Sequence, residues 1–410
     1  MRLKMTILLG ALIASAAGVA LADNSGRIYG RVLLADGDEL EGLIRWDKNE
    51  ANWVDMLNGT KELSERDQRR ARDEERTERR GEIRFFGIRI GESSDWSSSA
   101  SSGIRFGHIR SVEAMGDDRA LVTLKSGREV ELTGSSTDLG SGMRDFVIED
   151  NDGGEVELVW DDIEKIEFMA ARTDQRSRFG DRLYGTLQTR RGETFTGFIC
   201  WDIDELFTSD ILDGEENNRS RKIPFDKIQA IERYSSSAAR VYLTGGDEVI
   251  LRGTNDVDDD NRGIVVSDPG FGDVIVSWGE FDRVDFSTPT KQIGYDDFDG
   301  GRPLQGTVYT DAGDRHTGTI RWDNDEEYTW EIIDGEYRDV EYDIELGAIK
   351  EIRRRGRSGA IVTVLDGREF QLRDSNDIDD SNKGIFITTS DGDEVVVDWE
   401  EFDRVVFDHK

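Results

Sequence analysis

The sequence predicts an all-β protein built from three tandem repeats, and three observations support this prediction. Strings that contain a tryptophan recur three times along the 410 residues. Alternating apolar and polar residues are interrupted by glycine turns, which is the pattern of β-hairpins. Nine tryptophans, nine tyrosines and eighteen phenylalanines supply enough aromatic area for a core, whereas a disordered acidic chain would be poor in such residues.

The first 22 residues have the pattern of a secretory signal peptide. A basic region at Arg2 and Lys4 precedes an apolar run that ends near Val19, and small residues lead to a cleavage site after Ala22. The alternative is a retained membrane anchor, but the apolar run is short and no stop-transfer pattern follows it. No later segment is long and apolar enough to cross a bilayer. We therefore expect residues 1–22 to be removed and the remainder to be exported to a bacterial periplasm or exterior.

Two tryptophan strings define the repeats at about 27–168, 182–286 and 303–407. The front string ends a strand with Trp-Asp, and the back string precedes the last apolar strand of each repeat. Each repeat divides into two halves of four or five short strands, and each half opens with a glycine hairpin. Residues 169–181 and 287–302 lack alternation and are predicted to be linkers. The repeated tryptophans are Trp46, Trp201 and Trp322 in the front string, and Trp160, Trp278 and Trp399 in the back string.

The strand layout of each half has a recognisable form. It opens with a hairpin such as Val32–Ile44 and closes with a turn and a strand such as Trp278–Val284. This layout resembles the SH3-like and Sm-like small β-barrels, which implies that each repeat is a pair of small barrels. The second RNA-binding motif of the Sm family, which has its Arg-Gly after the fourth strand, is not visible in any half, so RNA binding does not carry over. A six-bladed β-propeller is the alternative fold, because its blades are also units of four strands.

The first repeat carries a charged insertion at residues 60–103. Thr60–Arg80 is rich in helix formers, with opposite charges four residues apart, and this pattern predicts a helix. Ser93–Gly103 is rich in serine and is predicted to be a flexible loop. The helix has almost no apolar face, so a simply solvated helix is one interpretation and a contact arm for an acidic partner is the other. The partner-binding candidates on that arm are Arg69, Arg70, Arg79 and Arg80.

Two acidic loops are the candidate metal sites. Aspartates at alternate positions can direct several oxygens at one hard cation, and Ca²⁺ prefers carboxylate and amide oxygens. The order of residues does not match an EF-hand loop. The alternative is a loop held by its own hydrogen bonds, with Val257 or Ile378 plugging the core. The candidate ligands are Asp256, Asp258 and Asp260 in the second repeat, and Asp377 and Asp379 in the third.

Other reactive residues are few. Acidic residues such as Asp202, Asp204 and Glu205 follow the front tryptophans, where they are typical of turns; a hydrolase would need two of them at a defined separation in a cleft. Cys200 stands where the sister repeats have arginine, so we expect a solvent-facing thiol. A nucleophile would need an adjacent histidine base, and none of the three histidines is close to it in sequence.

Composition excludes several classes of function. The 53 basic and 88 acidic residues give a net charge of −35, which argues against nucleic acid or an anionic membrane as a partner. A single cysteine excludes an intramolecular disulfide and a cysteine-based zinc site. We expect a non-enzymatic exported protein that binds or scaffolds a protein or another envelope component, with no catalytic residues. The alternatives are a calcium-dependent binding module, which makes Ca²⁺ the one candidate cofactor, and an envelope hydrolase that uses paired carboxylates.

Overall fold

The structure is a computed structural model that describes residues 23–62, 82–85, 88–92, 99–134, 137–151, 154–172 and 177–409. The side chains of residues 62, 82–85, 88–92 and 99–101 are not described. The predicted signal peptide lies outside these residues, as do the four candidate arginines of the insertion, Arg69, Arg70, Arg79 and Arg80.

The two ends of the charged insertion are strand. Residues 60–62 belong to the same strand as Met56, where a helix was predicted, and residues 99–103 belong to the strand that pairs with it, where a loop was predicted. Both corrections have one cause: the two strands of one hairpin extend into the two ends of the insertion. Their backbone pairing overrides the local preferences of the charged residues for helix and of the serine-rich residues for a loop. The rest of the predicted helix, up to Arg80, lies outside the described part of the chain.

The first repeat contains twelve strands in the described ranges. Each strand is a short segment in which apolar and polar residues tend to alternate, as expected for half-buried strands, and turns connect most of them. They are β1 (Tyr29–Leu34), β2 (Glu39–Trp46), β3 (Met56–Glu62), β4 (Glu82–Phe85), β5 (Ile88–Glu92), β6 (Ser99–Arg105), β7 (Ile109–Ala114), β8 (Arg119–Leu124), β9 (Glu129–Thr133), β10 (Phe146–Asp150), β11 (Glu155–Leu158) and β12 (Ile163–Phe168).

The second and third repeats contain ten strands each. In the second they are β13 (Tyr184–Thr189), β14 (Thr194–Cys200), β15 (Ile211–Glu216), β16 (Arg219–Pro224), β17 (Ile228–Ser235), β18 (Ala238–Leu243), β19 (Glu248–Leu251), β20 (Ile264–Asp268), β21 (Gly272–Val276) and β22 (Phe281–Phe286). In the third they are β23 (Gln305–Thr310), β24 (Arg315–Arg321), β25 (Ile332–Tyr337), β26 (Val340–Glu345), β27 (Ile349–Arg354), β28 (Ala360–Val364), β29 (Glu369–Leu372), β30 (Ile385–Thr389), β31 (Glu394–Val397) and β32 (Phe402–Phe407).

The all-β prediction is confirmed, since the only helical elements in the described residues are seven 3-10 turns of three residues each. The strands pair antiparallel, and eight strands follow the same order in every repeat. This order is β9-β8-β7-β12-β1-β2-β10-β11 in the first repeat, β19-β18-β17-β22-β13-β14-β20-β21 in the second and β29-β28-β27-β32-β23-β24-β30-β31 in the third.

The front and back halves of a repeat are interleaved in one sheet. In the second repeat the front strand β14 pairs with the back strand β20, and the front strand β13 pairs with the last strand, β22. The sheets stay open in the described part of the chain, so the separate closed barrels implied by the resemblance are not formed. The arrangement also differs from a propeller, whose blades are separate four-stranded sheets.

A hairpin at an equivalent position in each repeat stands outside the common order, and in the first repeat β4 and β5 form a second one. In the first repeat, β3 and β6 form the equivalent hairpin and β3 pairs with β9. In the second, β15 and β16 form a two-stranded sheet of their own. In the third, β25 and β26 extend the sheet of the second repeat, because β26 pairs with β21. The second and third repeats therefore share one ten-stranded sheet.

The front tryptophans occupy the centre of each core. Trp46, Trp201 and Trp322 are fully buried, and each lies against phenylalanine rings with centroid separations of 5.3 to 5.4 Å. One core cluster belongs mainly to the first repeat, and a second spans the other two. Burial of this aromatic area is the main stabilising contribution in such cores.

The segment between the second and third repeats packs against the first repeat. The Tyr295 ring lies 4.6 Å from Trp53, and the Phe298 ring lies 5.0 Å from His108. The backbone N–H of Gly300 donates to His108 Nδ1 over 3.1 Å. A segment predicted from its polar composition to be a linker therefore contributes aromatic side chains that join the repeats.

Candidate metal centre

A tight turn follows the front tryptophan of the second repeat. Asp202 and Ile203 have φ angles of 50° and 60°, in the left-handed region that aspartate adopts more readily than most residues. Trp201 and Glu205 close the turn, since each backbone N–H donates to the carbonyl oxygen of the other, over 2.9 and 3.0 Å. The turn therefore fixes the chain positions of two carboxylates, Asp202 and Glu205.

The predicted acidic loop is anchored to the same tryptophan. The indole Nε1–H of Trp201 donates to the carbonyl oxygen of Asp256 over 2.9 Å. The Asp256 carboxylate in turn accepts the backbone N–H of Asp213 over 2.6 Å. These two bonds bring the buried Asp256 beside the turn, although it is far from Asp202 in sequence.

Three carboxylates meet where the turn and the loop adjoin. Asp202, Glu205 and Asp256 each offer one oxygen, and these three oxygens lie within 4.8 Å of one another. We call this group the Asp202 cluster. Arg262 binds its edge: its backbone N–H donates to Asp202 over 2.6 Å, and its guanidinium bonds to both Asp202 (2.9 Å) and Asp204 (2.5 Å).

Burial and the repulsion between neighbouring carboxylates raise the pKa values of two residues in the Asp202 cluster. Burial, with the charges of Asp256 and Asp202 adding to it, raises the pKa of Glu205 to about 9. Burial also raises the pKa of Asp256 to about 6. The Oε2 atom of Glu205 is buried and has no hydrogen-bond partner. The cluster thus contains oxygen atoms that favour a proton or a cation beside them.

The same arrangement occurs in the other two repeats. The turn residues Asp47 and Asp323 have positive φ angles, and the indoles of Trp46 and Trp322 donate to the carbonyl oxygens of Asp138 and Asp377 over 2.8 Å. Burial raises the pKa of Asp138 to about 7 and that of Asp323 to about 8. The residues at the equivalent positions are Asp47, Glu50 and Asp138 in the first repeat, and Asp323, Glu326 and Asp377 in the third, but within the described ranges only the second repeat brings three such oxygens within 4.8 Å of one another.

The glutamates at the equivalent positions also have buried carboxylate oxygens without a hydrogen-bond partner. Glu50 is 2% exposed, and neither of its carboxylate oxygens has a hydrogen-bond partner. Glu326 is 6% exposed, and its Oε2 atom has none. Burial followed by the charges of neighbouring carboxylates raises the pKa of both groups well above the ordinary value. An unsatisfied glutamate is therefore a feature of all three repeats.

The predicted ligands separate into two groups in the structure. Asp256 lies in the Asp202 cluster, and Asp377 lies at the equivalent position in the third repeat. The other three stay in their loops: Asp258 accepts the backbone N–H of Asp260 over 3.1 Å, and Asp379 accepts that of Ser381 over 2.8 Å. Val257 and Ile378 are fully buried, as the alternative interpretation of these loops expects. Whether calcium binds stays a prediction.

Sequence reasoning missed Asp202 and Glu205 as partners of Asp256. It assigned them to a turn, and the turn is present, but their proximity to the loop depends on the Trp201 indole. One sequence pattern could have identified these two residues, because Trp-Asp-x-x-Glu recurs in every repeat. The three occurrences are Trp46–Glu50, Trp201–Glu205 and Trp322–Glu326.

The expectation of a solvent-facing Cys200 is wrong. The side chain is 3% exposed, because it lines a small pocket between the first and second repeats, together with Glu50 and Asp273. Burial raises the pKa of the Cys200 thiol well above its ordinary value, which disfavours the reactive thiolate. His108 contacts Glu345 over 3.3 Å, in a different junction.

The described residues contain no helix of the length and hydropathy needed to span a membrane. The chain matches no protein-family model, no curated protein and no solved structure.

Proposed function

We propose that the protein is an exported, non-enzymatic binding and scaffolding protein of the bacterial envelope or exterior, and that its second repeat binds Ca²⁺ in the Asp202 cluster. One observation carries the proposal: one oxygen from each of Asp202, Glu205 and Asp256 lies within 4.8 Å of the other two, and the Oε2 atom of Glu205 is buried with no hydrogen-bond partner. Ca²⁺ accepts such flexible sets of oxygen ligands.

Calcium fits the Asp202 cluster better than magnesium does. Mg²⁺ demands near-ideal octahedral geometry and releases its water reluctantly, whereas Ca²⁺ tolerates irregular carboxylate sets completed by water. Arg262 does not block the site, since Asp204 can hold its guanidinium when Asp202 faces an ion. Bound calcium would offset the repulsion among the three carboxylates and fasten the turn to the loop.

The scaffolding part of the proposal is supported by repetition. The same turn, loop and buried tryptophan occur three times, as expected for a structural framework. The predicted signal peptide and the net charge of −35 support an exported protein that binds a protein or another envelope component. No specific observation favours the hydrolase alternative.

Calorimetry on the EDTA-treated protein tests calcium binding. We expect CaCl₂ to give a saturable heat and to raise the melting temperature, because an ion that binds only the folded state stabilises it. Glu205→Gln should lose both effects while keeping the fold, since glutamine has a similar shape and lacks the charge. The matched control is Asp260→Asn, an exposed loop aspartate outside the cluster.

Two outcomes would contradict the proposal. The first is wild-type protein that gives no heat and no shift in melting temperature with CaCl₂. The second is a calcium response that survives Glu205→Gln and disappears in Asp260→Asn, which would place the ion in the loop. Affinity capture from a native envelope fraction, with CaCl₂ and with EDTA, tests the binding role separately.

A further inference from the structure

One junction within the chain is built by strand addition. Strand β26 of the third repeat pairs antiparallel with β21, the last strand in the common sheet order of the second repeat. The register places Gly272 opposite Ile344, Asp273 opposite Asp343 and Val276 opposite Val340. Strand addition of this kind supplies affinity through backbone hydrogen bonds, and side chains set its specificity.

The corresponding strands at the preceding junction each have one edge with no partner strand in the part of the chain that the structure describes. Strand β16 of the second repeat is equivalent to β26, but in the described ranges it pairs only with β15. Strand β11 of the first repeat is equivalent to β21, but among the described residues its one partner strand is β10. A sheet edge with unpaired backbone groups is a template for another strand.

The two free edges carry opposite charge. On β16, the exposed residues Arg219, Arg221 and Lys222 present basic side chains. On β11, Glu155 and Glu157 are exposed and flank Val156. In the register of the β21–β26 pair, Lys222 would lie directly opposite Glu155. Opposite charges in such cross-strand positions are stabilising, and like charges are destabilising.

We propose that this protein associates with a second copy of itself by adding β16 of one copy to β11 of the other, in the register of the internal β21–β26 pair. The donor and acceptor edges lie in different repeats, so the contact is head-to-tail. Such contacts build rings or open chains of copies. The complementary charges of Lys222 and Glu155 select this pairing over two β11 edges or two β16 edges.

The existing contacts of the donor strand do not oppose this association. Lys222 pairs with Asp213 over 3.5 Å, and both side chains are exposed, at 71% and 41%. Exposed ion pairs of this kind contribute little to stability. Lys222 can therefore change partners at low cost when a second copy brings Glu155 beside it.

Sedimentation velocity on the full chain over a range of concentrations tests the proposal. Wild type should form species larger than the monomer as concentration rises. Glu155→Lys and Lys222→Glu should each weaken association by at least about tenfold, since each places like charges opposite one another. A mixture of the two variants, and the double variant Glu155→Lys/Lys222→Glu, should recover association. Circular dichroism checks that each variant is folded.

Glu394→Lys is the matched control. It reverses a charge on β31, the corresponding edge strand of the third repeat, and should leave association unchanged. If Glu394→Lys abolishes association while Glu155→Lys does not, the acceptor is β31 and the proposal is overturned. A wild type that remains monomeric at every concentration also overturns it, as does a charge swap that fails to restore association.

Discussion

At the scale of single residues, a buried ion pair joins the first and second repeats. Arg182 lies 3.1 Å from Asp55, and both side chains are 4% exposed. Asp55 also accepts the backbone N–H groups of Ala51 and Asn52, over 2.7 and 2.8 Å. The carboxylate therefore has partners from both repeats, and removing the arginine would leave part of a buried charge without compensation.

Arg182→Leu is expected to destabilise the protein by about 3–5 kcal/mol, because breaking one side of a buried pair leaves an uncompensated charge. Chemical denaturation monitored by tryptophan fluorescence measures the change. The control is Arg119→Leu, which breaks an ion pair with Glu131 whose side chains are 50% and 42% exposed. Arg119→Leu should lower the free energy of unfolding by about 1 kcal/mol or less. Equal costs for the two variants would contradict the prediction.

The raised carboxyl pKa values predict how stability depends on pH. The folded-state pKa is about 9 for Glu205, about 8 for Asp323 and about 7 for Asp138, chiefly because of burial. In the unfolded chain these groups titrate near pH 4, so from about pH 4 to 9 the folded state binds more protons. Stability should therefore fall as the pH rises through this window.

Melting temperatures in calcium-free buffer across this window test that sign. Glu205→Gln should make the decline shallower, because the variant no longer holds a proton that is lost on unfolding. A wild type whose melting temperature rises steadily from acid to alkaline buffer would contradict the assignment. The same slope in wild type and variant would exclude a contribution from Glu205.

The sequence located only part of the candidate site. Asp256 and Asp377 were predicted as ligands because aspartates stand at alternate positions in their loops, which is a local property. Asp202 and Glu205 were not joined to them, because the contact depends on a tryptophan indole that reaches across the core to Asp256. Alternation and turn patterns carry no information about such distant contacts.

At the scale of elements, two glycines with different roles recur in each front hairpin. Gly313 in the turn has a φ of 90°, as the hairpin pattern predicts. Gly318 lies within β24 instead, where an added Cβ would stand 2.1 Å from the carbonyl oxygen of Thr388. The equivalent strand glycines, Gly42 and Gly197, meet carbonyl oxygens at 1.9 and 2.4 Å. Close approach of a neighbouring strand therefore requires glycine there.

Gly318→Ala is expected to destabilise the protein by about 1–3 kcal/mol, because the backbone of β30 must move to admit a methyl group. Thermal unfolding followed by circular dichroism measures the loss. Gly142→Ala is the control, since Gly142 has nothing within 4 Å of an added Cβ and no positive φ. An unchanged melting temperature for Gly318→Ala would show that the strands can separate without cost.

The hairpins were predictable from sequence and the sheet order was not. The β1–β2 and β8–β9 hairpins follow directly from alternation around Gly37 and Gly127. The pairing of β14 with β20 joins strands separated by the whole middle of the repeat. Separate barrels were expected from the resemblance of each half to the small β-barrels, whereas in the structure long-range pairs interleave the two halves.

At the scale of the whole molecule, the second and third repeats are coupled by backbone strand pairing and by packing of their core side chains. They share the β21–β26 pairing, and the Phe271 ring lies 4.9 Å from the Phe370 ring across the junction. Repeats that are joined this way have a large nearest-neighbour energy and unfold together. Neither repeat is therefore expected to behave as an independent domain.

Differential scanning calorimetry should give a single transition for the second and third repeats. A fragment of residues 303–409 should unfold at a lower temperature than the same residues in the full chain. In this fragment β26 has no β21 to pair with, and Phe370 has no Phe271 ring to pack against. A fragment of residues 177–409 keeps that junction and is the control. Two independent transitions in the control fragment would contradict the coupling.

The burial of Cys200 at the first junction has a practical consequence. It is the one cysteine in the chain, and its thiol lines the pocket between the first two repeats. A thiol-reactive dye can modify it only when that junction opens. The rate of labelling under native conditions therefore measures how often the first two repeats separate, with no engineered probe, and comparison with the global unfolding rate distinguishes local opening from complete unfolding.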